Sequence, residues 1–117
     1  MSIWVCGEVL IDLLPGDPER IAIVGGGPAN TAKALSRLGH EVQFIDGIST
    51  DAYGKSARAE LIRDGVSLDL ALISDLPTCT ATVSLSSDGS ASYNFLINNT
   101  ATFAFDKSWL PDPEKYK

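Results

Sequence analysis

Apolar residues run almost without a break from Ile3 to Ile11 and stop at a charged position, Asp12. Such a run, interrupted only by Gly7 and Glu8, predicts one buried central strand. A turn cluster follows at Pro15-Gly16-Asp17-Pro18, and Ile21-Ala22-Ile23-Val24 predicts a second short strand leading into Gly25-Gly26-Gly27-Pro28. From Pro28 to Leu38, the positions Ala29, Ala32, Leu35 and Leu38 recur at helical spacing. Proline suits the first helical turn and Gly39 the position past the end, so a helix is predicted there. Val42 to Ile45 predicts another buried strand, closed by Asp46-Gly47. Asp51 is placed to cap a second helix that turns Ala57, Leu61 and Ile62 inward and stops at Gly65. Val66 to Ile73 reads as a further extended stretch.

Strand, strand, helix, strand, helix, strand argues for an α/β fold. The character changes after Pro77. Thr80 to Leu85 and Ala91 to Ile97 are rich in Thr, Val, Tyr and Phe, and Ser87-Asp88-Gly89-Ser90 joins them as a tight hairpin. The tail from Trp109 to Lys117 carries Pro111 and Pro113 and predicts no closing element. No internal repeat or low-complexity segment interrupts the pattern.

Composition narrows the picture. The 117 residues suit one domain or one part of a larger one, with 44% hydrophobic and 21% charged residues. Fifteen acidic residues against nine basic ones leave a net charge of −6, without a Lys/Arg cluster. Nucleic-acid binding draws on a basic footprint, so that class is set aside. Cys6 and Cys79 form no CxxC pair; Cys6 lies in the apolar run and is expected to be a buried, reduced thiol. No basic leader with a cleavage site precedes the first strand, and no apolar run approaches membrane-spanning length. The expectation is a cytoplasmic protein without membrane contact.

The glycine run is the first candidate for chemistry. Gly25 and Gly27 fit the start of a GxGxxG dinucleotide fingerprint, and Asp46 ends the next strand as a ribose-binding acid would. The third glycine position holds Asn30, which weakens that oxidoreductase reading. A second reading is polyol recognition. Sugar hydroxyls both donate and accept, so Asp12 at a strand end and Asn30 in a first helical turn suit them. The plainest alternative is a tight strand-to-helix turn with no ligand.

The segments Gly7-Glu8-Val9-Leu10-Ile11-Asp12, Gly25 to Gly39 and Gly47-Ile48-Ser49-Thr50-Asp51-Ala52-Tyr53-Gly54, with the Thr80 to Phe95 hairpin, decide between these readings. In order and spacing they resemble the PfkB/ribokinase-type carbohydrate kinases, over essentially the whole chain. The opening Gly-Glu-x-Leu-Ile-Asp-Leu is closer to the fructokinase-like branch. The resemblance implies a ribokinase-like, Rossmann-type parallel sheet flanked by helices, with a small β-sheet lid, incomplete in this chain. The α/β core is expected at 1–14 and 25–73, and lid strands at about 18–24 and 78–98.

The resemblance further implies ATP-dependent phosphorylation of a sugar or nucleoside-like hydroxyl, with this chain supplying the sugar-binding half. Asp12 matches the family's hydroxyl acceptor, Gly25 and Gly26 the backbone against the sugar, and Asn30 the amide that bonds another hydroxyl. Phe95, Ile97 and Ala101 fall where lid contacts are expected. Many fructokinase-like members carry an Arg and an Ala-Asp pair near there; Ile97 and Ala101-Thr102 depart from it, so fructose specificity is not carried over. The lid strands imply a homodimer.

The Gly-Ala-Gly-Asp-like catalytic segment of the family does not occur in the sequence. No catalytic residue and no metal ligand is therefore assigned, and the main binding residues for ATP and Mg2+ are expected outside this chain. Half a phosphoryl-transfer site is expected to be inactive alone. A non-catalytic sugar-binding or dimerisation module and a truncated product are the alternatives. His40 is solitary, and Ser84, Ser86 and Ser87 have no histidine partner in the pattern.

Overall fold

In the computed structural model, residues 1–104 and 106–116 are described. The described residues form eight strands, β1 (Ile3–Cys6), β2 (Leu10–Leu14), β3 (Ile21–Gly25), β4 (Val42–Ile45), β5 (Gly47–Ser49), β6 (Leu72–Ser74), β7 (Thr80–Leu85) and β8 (Ala91–Leu96). Two α-helices, α1 (Gly27–Arg37) and α2 (Ala52–Arg63), lie between them, and two short 3-10 turns follow at Lys107–Trp109 and Pro113–Tyr116.

Parallel pairing builds the core. β1 lies beside β4 from Ile3↔Val42 to Cys6↔Ile45, and β5 lies beside β6. Asp46 alone separates β4 from β5, and its carbonyl accepts a hydrogen bond from the Leu72 amide at 2.9 Å. Ala29 and Ala32 of α1 and Ala57 and Leu61 of α2 are buried with Val42, Phe44, Ile48 and Val66 in one cluster. Small residues on the helices let them approach the sheet closely, while Phe44 fills the space between.

The other sheet has the order β3-β2-β7-β8. β2 is antiparallel to β3 and parallel to β7, and β7 forms a six-pair hairpin with β8. Its turn is held by the Ser86 carbonyl, which accepts from Gly89 N at 3.0 Å, and by the Asp88 carboxylate, which accepts from Ser90 N at 3.0 Å.

Several expectations are met closely. The strand at Val42–Ile45 and both helices form where the pattern placed them, and Asp51 caps α2 by accepting from Gly54 N at 2.7 Å. Others are corrected. The apolar run from Ile3 to Ile11 is two strands in two different sheets, because the chain changes direction at Gly7 to Val9. Residues 10–14, expected in the core, therefore pair with β3 and β7. Cys6, expected to be buried, is exposed at the end of β1; Cys79 is buried, and both are free thiols. Ile62, expected to face inward, is 56% exposed, so the buried stripe of α2 is Gly54, Ala57 and Leu61. Within Val66 to Ile73, Ser67 makes an isolated bridge to Gln43 and regular pairing starts only at Leu72.

Candidate functional site

Asp12 sits in the middle of β2, opposite Ile23 on one side and Ala81 on the other. Paired residues in adjacent strands share a face, so Ile23, Asp12, Ala81 and Phe95 form one row across the four strands. Gly25 lies on the same face, two residues along β3. A side chain on Gly25 would collide with the Asp12 carboxylate, so the carboxylate rests directly on bare backbone.

The next residue begins the helix. Gly26 is the N-cap of α1 with φ +104°, and a methyl group there would lie 2.6 Å from the Glu8 carbonyl oxygen. Only glycine accommodates both that backbone conformation and that contact. No side chain caps this end, and Pro28 occupies the first turn, so the helix start is formed by backbone alone. Asn30 completes the turn: its backbone N–H donates to the Gly26 carbonyl at 2.9 Å, and the residue is exposed. The Asp12 carboxylate thus abuts Gly25, and the chain runs on through Gly26 to Asn30, a carboxamide residue in the first turn of α1. The carboxylate accepts hydrogen bonds from hydroxyls, and the carboxamide both donates and accepts.

The three expected lid contacts separate. Phe95 shares Asp12's row, is 52% exposed and stacks on Tyr93 with ring centroids 6.1 Å apart. Ile97 follows β8, partly exposed, and its carbonyl accepts from Thr100 N at 3.3 Å and Thr100 Oγ1 at 2.6 Å. Ala101 is buried in the seam between the sheet and the core, where its amide donates to the Pro77 carbonyl at 2.9 Å. It is therefore not on the sheet face that carries Asp12.

Two further acids belong to that seam; the pattern marked Asp46 as a strand end, and as a ribose-binding acid in the dinucleotide reading, and Asp51 as a helix cap. Asp46 is 1% exposed. Its Oδ2 accepts from the Val9 amide at 3.3 Å and from the Thr102 hydroxyl in a very short contact, while Oδ1 has no partner of hydrogen-bond geometry among the described residues. Burial pushes its pKa up to about 7, with Glu8 adding to the rise and hydrogen bonds from Thr102, Gly47 and Val9 opposing it. Beside it lies a cavity of about 340 Å³ lined by Cys6, Gly7, Glu8, Asp46, Thr102 and Phe103. This hollow opens at the C-terminal ends of β1 and β4, the side on which open α/β sheets bind ligands. Asp51 behaves oppositely. Burial works to raise its pKa, but hydrogen bonds from the Thr78 hydroxyl, the Thr78 amide and the Gly54 amide outweigh it and hold the carboxyl below its ordinary range.

Among the described residues no three His, Cys, Asp or Glu side chains converge as metal ligands. No Mg2+ ligand is assigned among the described residues, and no step is routed through one. No helix among the described residues is long and apolar enough to cross a membrane.

Comparison with known proteins gives a consistent result. Residues 16–116 match the pfkB family carbohydrate kinases. The chain is 32% identical over 112 residues to a fructokinase of Klebsiella pneumoniae, covering 94% of this chain and 36% of that protein. The structure of a fructokinase with bound ATP from Xylella fastidiosa superposes with a TM-score of 0.87 at 31% identity, covering 97% of this chain and 35% of the other. Aminoimidazole riboside kinase from Salmonella enterica superposes with a TM-score of 0.81 at 25% identity, covering 95% and 36%. The chain therefore spans about a third of the length of the relatives it matches. All share the ribokinase-like α/β architecture.

Proposed function

Because this chain belongs to the pfkB family of carbohydrate kinases, we propose that it forms the acceptor-binding part of an ATP-dependent kinase for a sugar or nucleoside-like alcohol. The observation that carries the reading is the Asp12 carboxylate lying on the backbone of Gly25, one residue before the uncapped start of α1. A carboxylate packed this way is fixed in place and keeps its acceptor lone pairs for a ligand. Vicinal hydroxyls on a sugar ring would donate to Asp12, and another hydroxyl would exchange hydrogen bonds with Asn30. Each charge-assisted bond contributes about 1.5–3 kcal/mol. Phe95, in Asp12's row, and Ile97, just after β8, would cover the apolar edge of the ring.

Fructokinases and an aminoimidazole riboside kinase among the relatives support a furanose-type acceptor, and the ATP-bound relative supports ATP as phosphoryl donor. When bound, ATP supplies the transferred phosphoryl group. This chain's own residues would hold and orient the hydroxyl that receives it. The four-stranded sheet would act as the lid over the sugar, and its exposed apolar face would pair two copies into a dimer.

The test is calorimetric titration of the chain with fructose, ribose and a ribonucleoside. Binding of at least one is expected, weakened about tenfold or more by Asp12→Ala. Unchanged affinity in that variant overturns the assignment. The chain's span of about a third of its relatives favours a second reading, a sugar-binding module without turnover. ADP release from ATP with the same sugars separates the two, since any turnover by the 117-residue chain removes the module reading.

A further inference from the structure

We infer that Asp46 is a positioning residue, a proton-responsive latch that holds the four-stranded sheet against the α/β core. The sheet joins the core through four crossings: Gly7 to Val9, Gly25 to Gly27, Asp75 to Cys79, and Ile97 to Thr102. Asp46 holds two of them with one oxygen, through Val9 N and Thr102 Oγ1, and these two partners also bond each other at 3.2 Å. The Ala101 amide ties the fourth crossing to the third at the Pro77 carbonyl, 2.9 Å away. A single carboxyl between β4 and β5 thus gathers segments 93 residues apart in sequence.

The surroundings make this carboxyl respond to a proton. Glu8, on the first crossing, opposes charge on Asp46. The thiols of Cys6 at the end of β1 and Cys79 on the third crossing are pushed up by burial and by the Asp46 carboxylate, so they bring no positive charge to stabilise it. Among the described residues no ion pair involves Asp46. Burial therefore favours the neutral carboxyl in the closed seam, while an opened seam lets water from the adjoining cavity solvate the anion. An acid harder to ionise when closed than when open releases its proton on opening. Opening therefore grows as pH rises from the ordinary carboxylate value toward the raised one near 7, and levels off above it.

Amide hydrogen exchange on the chain without sugar tests this independently of any sugar-binding role. After correction for intrinsic rates, protection of Val9 N–H in the wild-type chain should fall by up to about tenfold per pH unit between about 4.5 and 7 and then flatten. Asp46→Asn should abolish that slope. Thr102→Val removes the hydroxyl that favours ionisation, so the flattening should move to higher pH, and Thr102→Ser should restore it. A carboxyl carbon of Asp46 that titrates in the ordinary carboxylate range, a pH-independent Val9 protection, or an unchanged slope in Asp46→Asn overturns the proposal. Should Asp46→Asn fail to fold, the wild-type profile and the two Thr102 variants decide it.

Discussion

The Asp12 carboxylate occupies the space that a side chain on Gly25 would need. The two residues are therefore coupled: any group added to Gly25 must displace the acid proposed to bind sugar. Gly25→Ala is expected to weaken sugar binding about tenfold and to cost about 1–3 kcal/mol of stability through overpacking of a buried position. Calorimetry and urea unfolding of the same variant measure both. Wild-type affinity with Asp12 still in place by crystallography would contradict the coupling.

Gly26 presents a different constraint. Its φ of +104° and the Glu8 carbonyl 2.6 Å from an added methyl make any side chain costly twice over. Gly26→Ala should lower stability by about 2 kcal/mol or more, read as a drop in the urea midpoint.

Asp51 joins α2 to the crossing before β7. It caps the helix at Gly54 N and accepts from Thr78 N at 2.8 Å and Thr78 Oγ1 at 2.6 Å. Asp51→Ala should cost about 2 kcal/mol. Its pKa is lowered in the folded chain, so its contribution is fully present above the ordinary carboxylate value of about 3.9 and is lost as pH falls through the lowered one. Thermal unfolding of wild type and Asp51→Asn should converge on acidification below about pH 4. A difference that grows there would contradict the sign.

The same sheet face that carries Asp12 also presents Ile21, Ile23, Leu85, Tyr93 and Phe95, all exposed. Apolar side chains in such a row favour pairing with another copy. Sedimentation of the wild-type chain at micromolar concentration is expected to give a dimer, and Leu85→Asp with Tyr93→Asp a monomer. A monomeric wild type contradicts the pairing.

Much of this architecture is legible in the residue pattern, for identifiable reasons. Strands at Val42–Ile45 and Thr80–Leu85 have short apolar or β-branched runs between clear turn residues, and Asp51 stands where a cap belongs. The order of acid, glycine pair and helix-start amide makes Asp12, Gly25, Gly26 and Asn30 candidates in the sequence, but Asp12, expected at a strand end, lies in the middle of β2 because the strand starts only at Leu10. The split of the first apolar run was not, since continuous hydrophobicity does not say which sheet receives each half. Ile62 illustrates a related limit: helical spacing allows two neighbouring stripes, and packing chooses between them. The burial of Asp46 depends on Thr102, 56 residues away, and no local signal connects the two.

The most direct test of the account is an amide-resolved NMR titration of the chain with whichever sugar binds most tightly. The amides of Asp12, Gly25, Gly26 and Asn30 should shift together and saturate at one sugar concentration, and Asp12→Ala should abolish the response. Saturation elsewhere on the molecule, with those four amides unmoved, would contradict the proposed site.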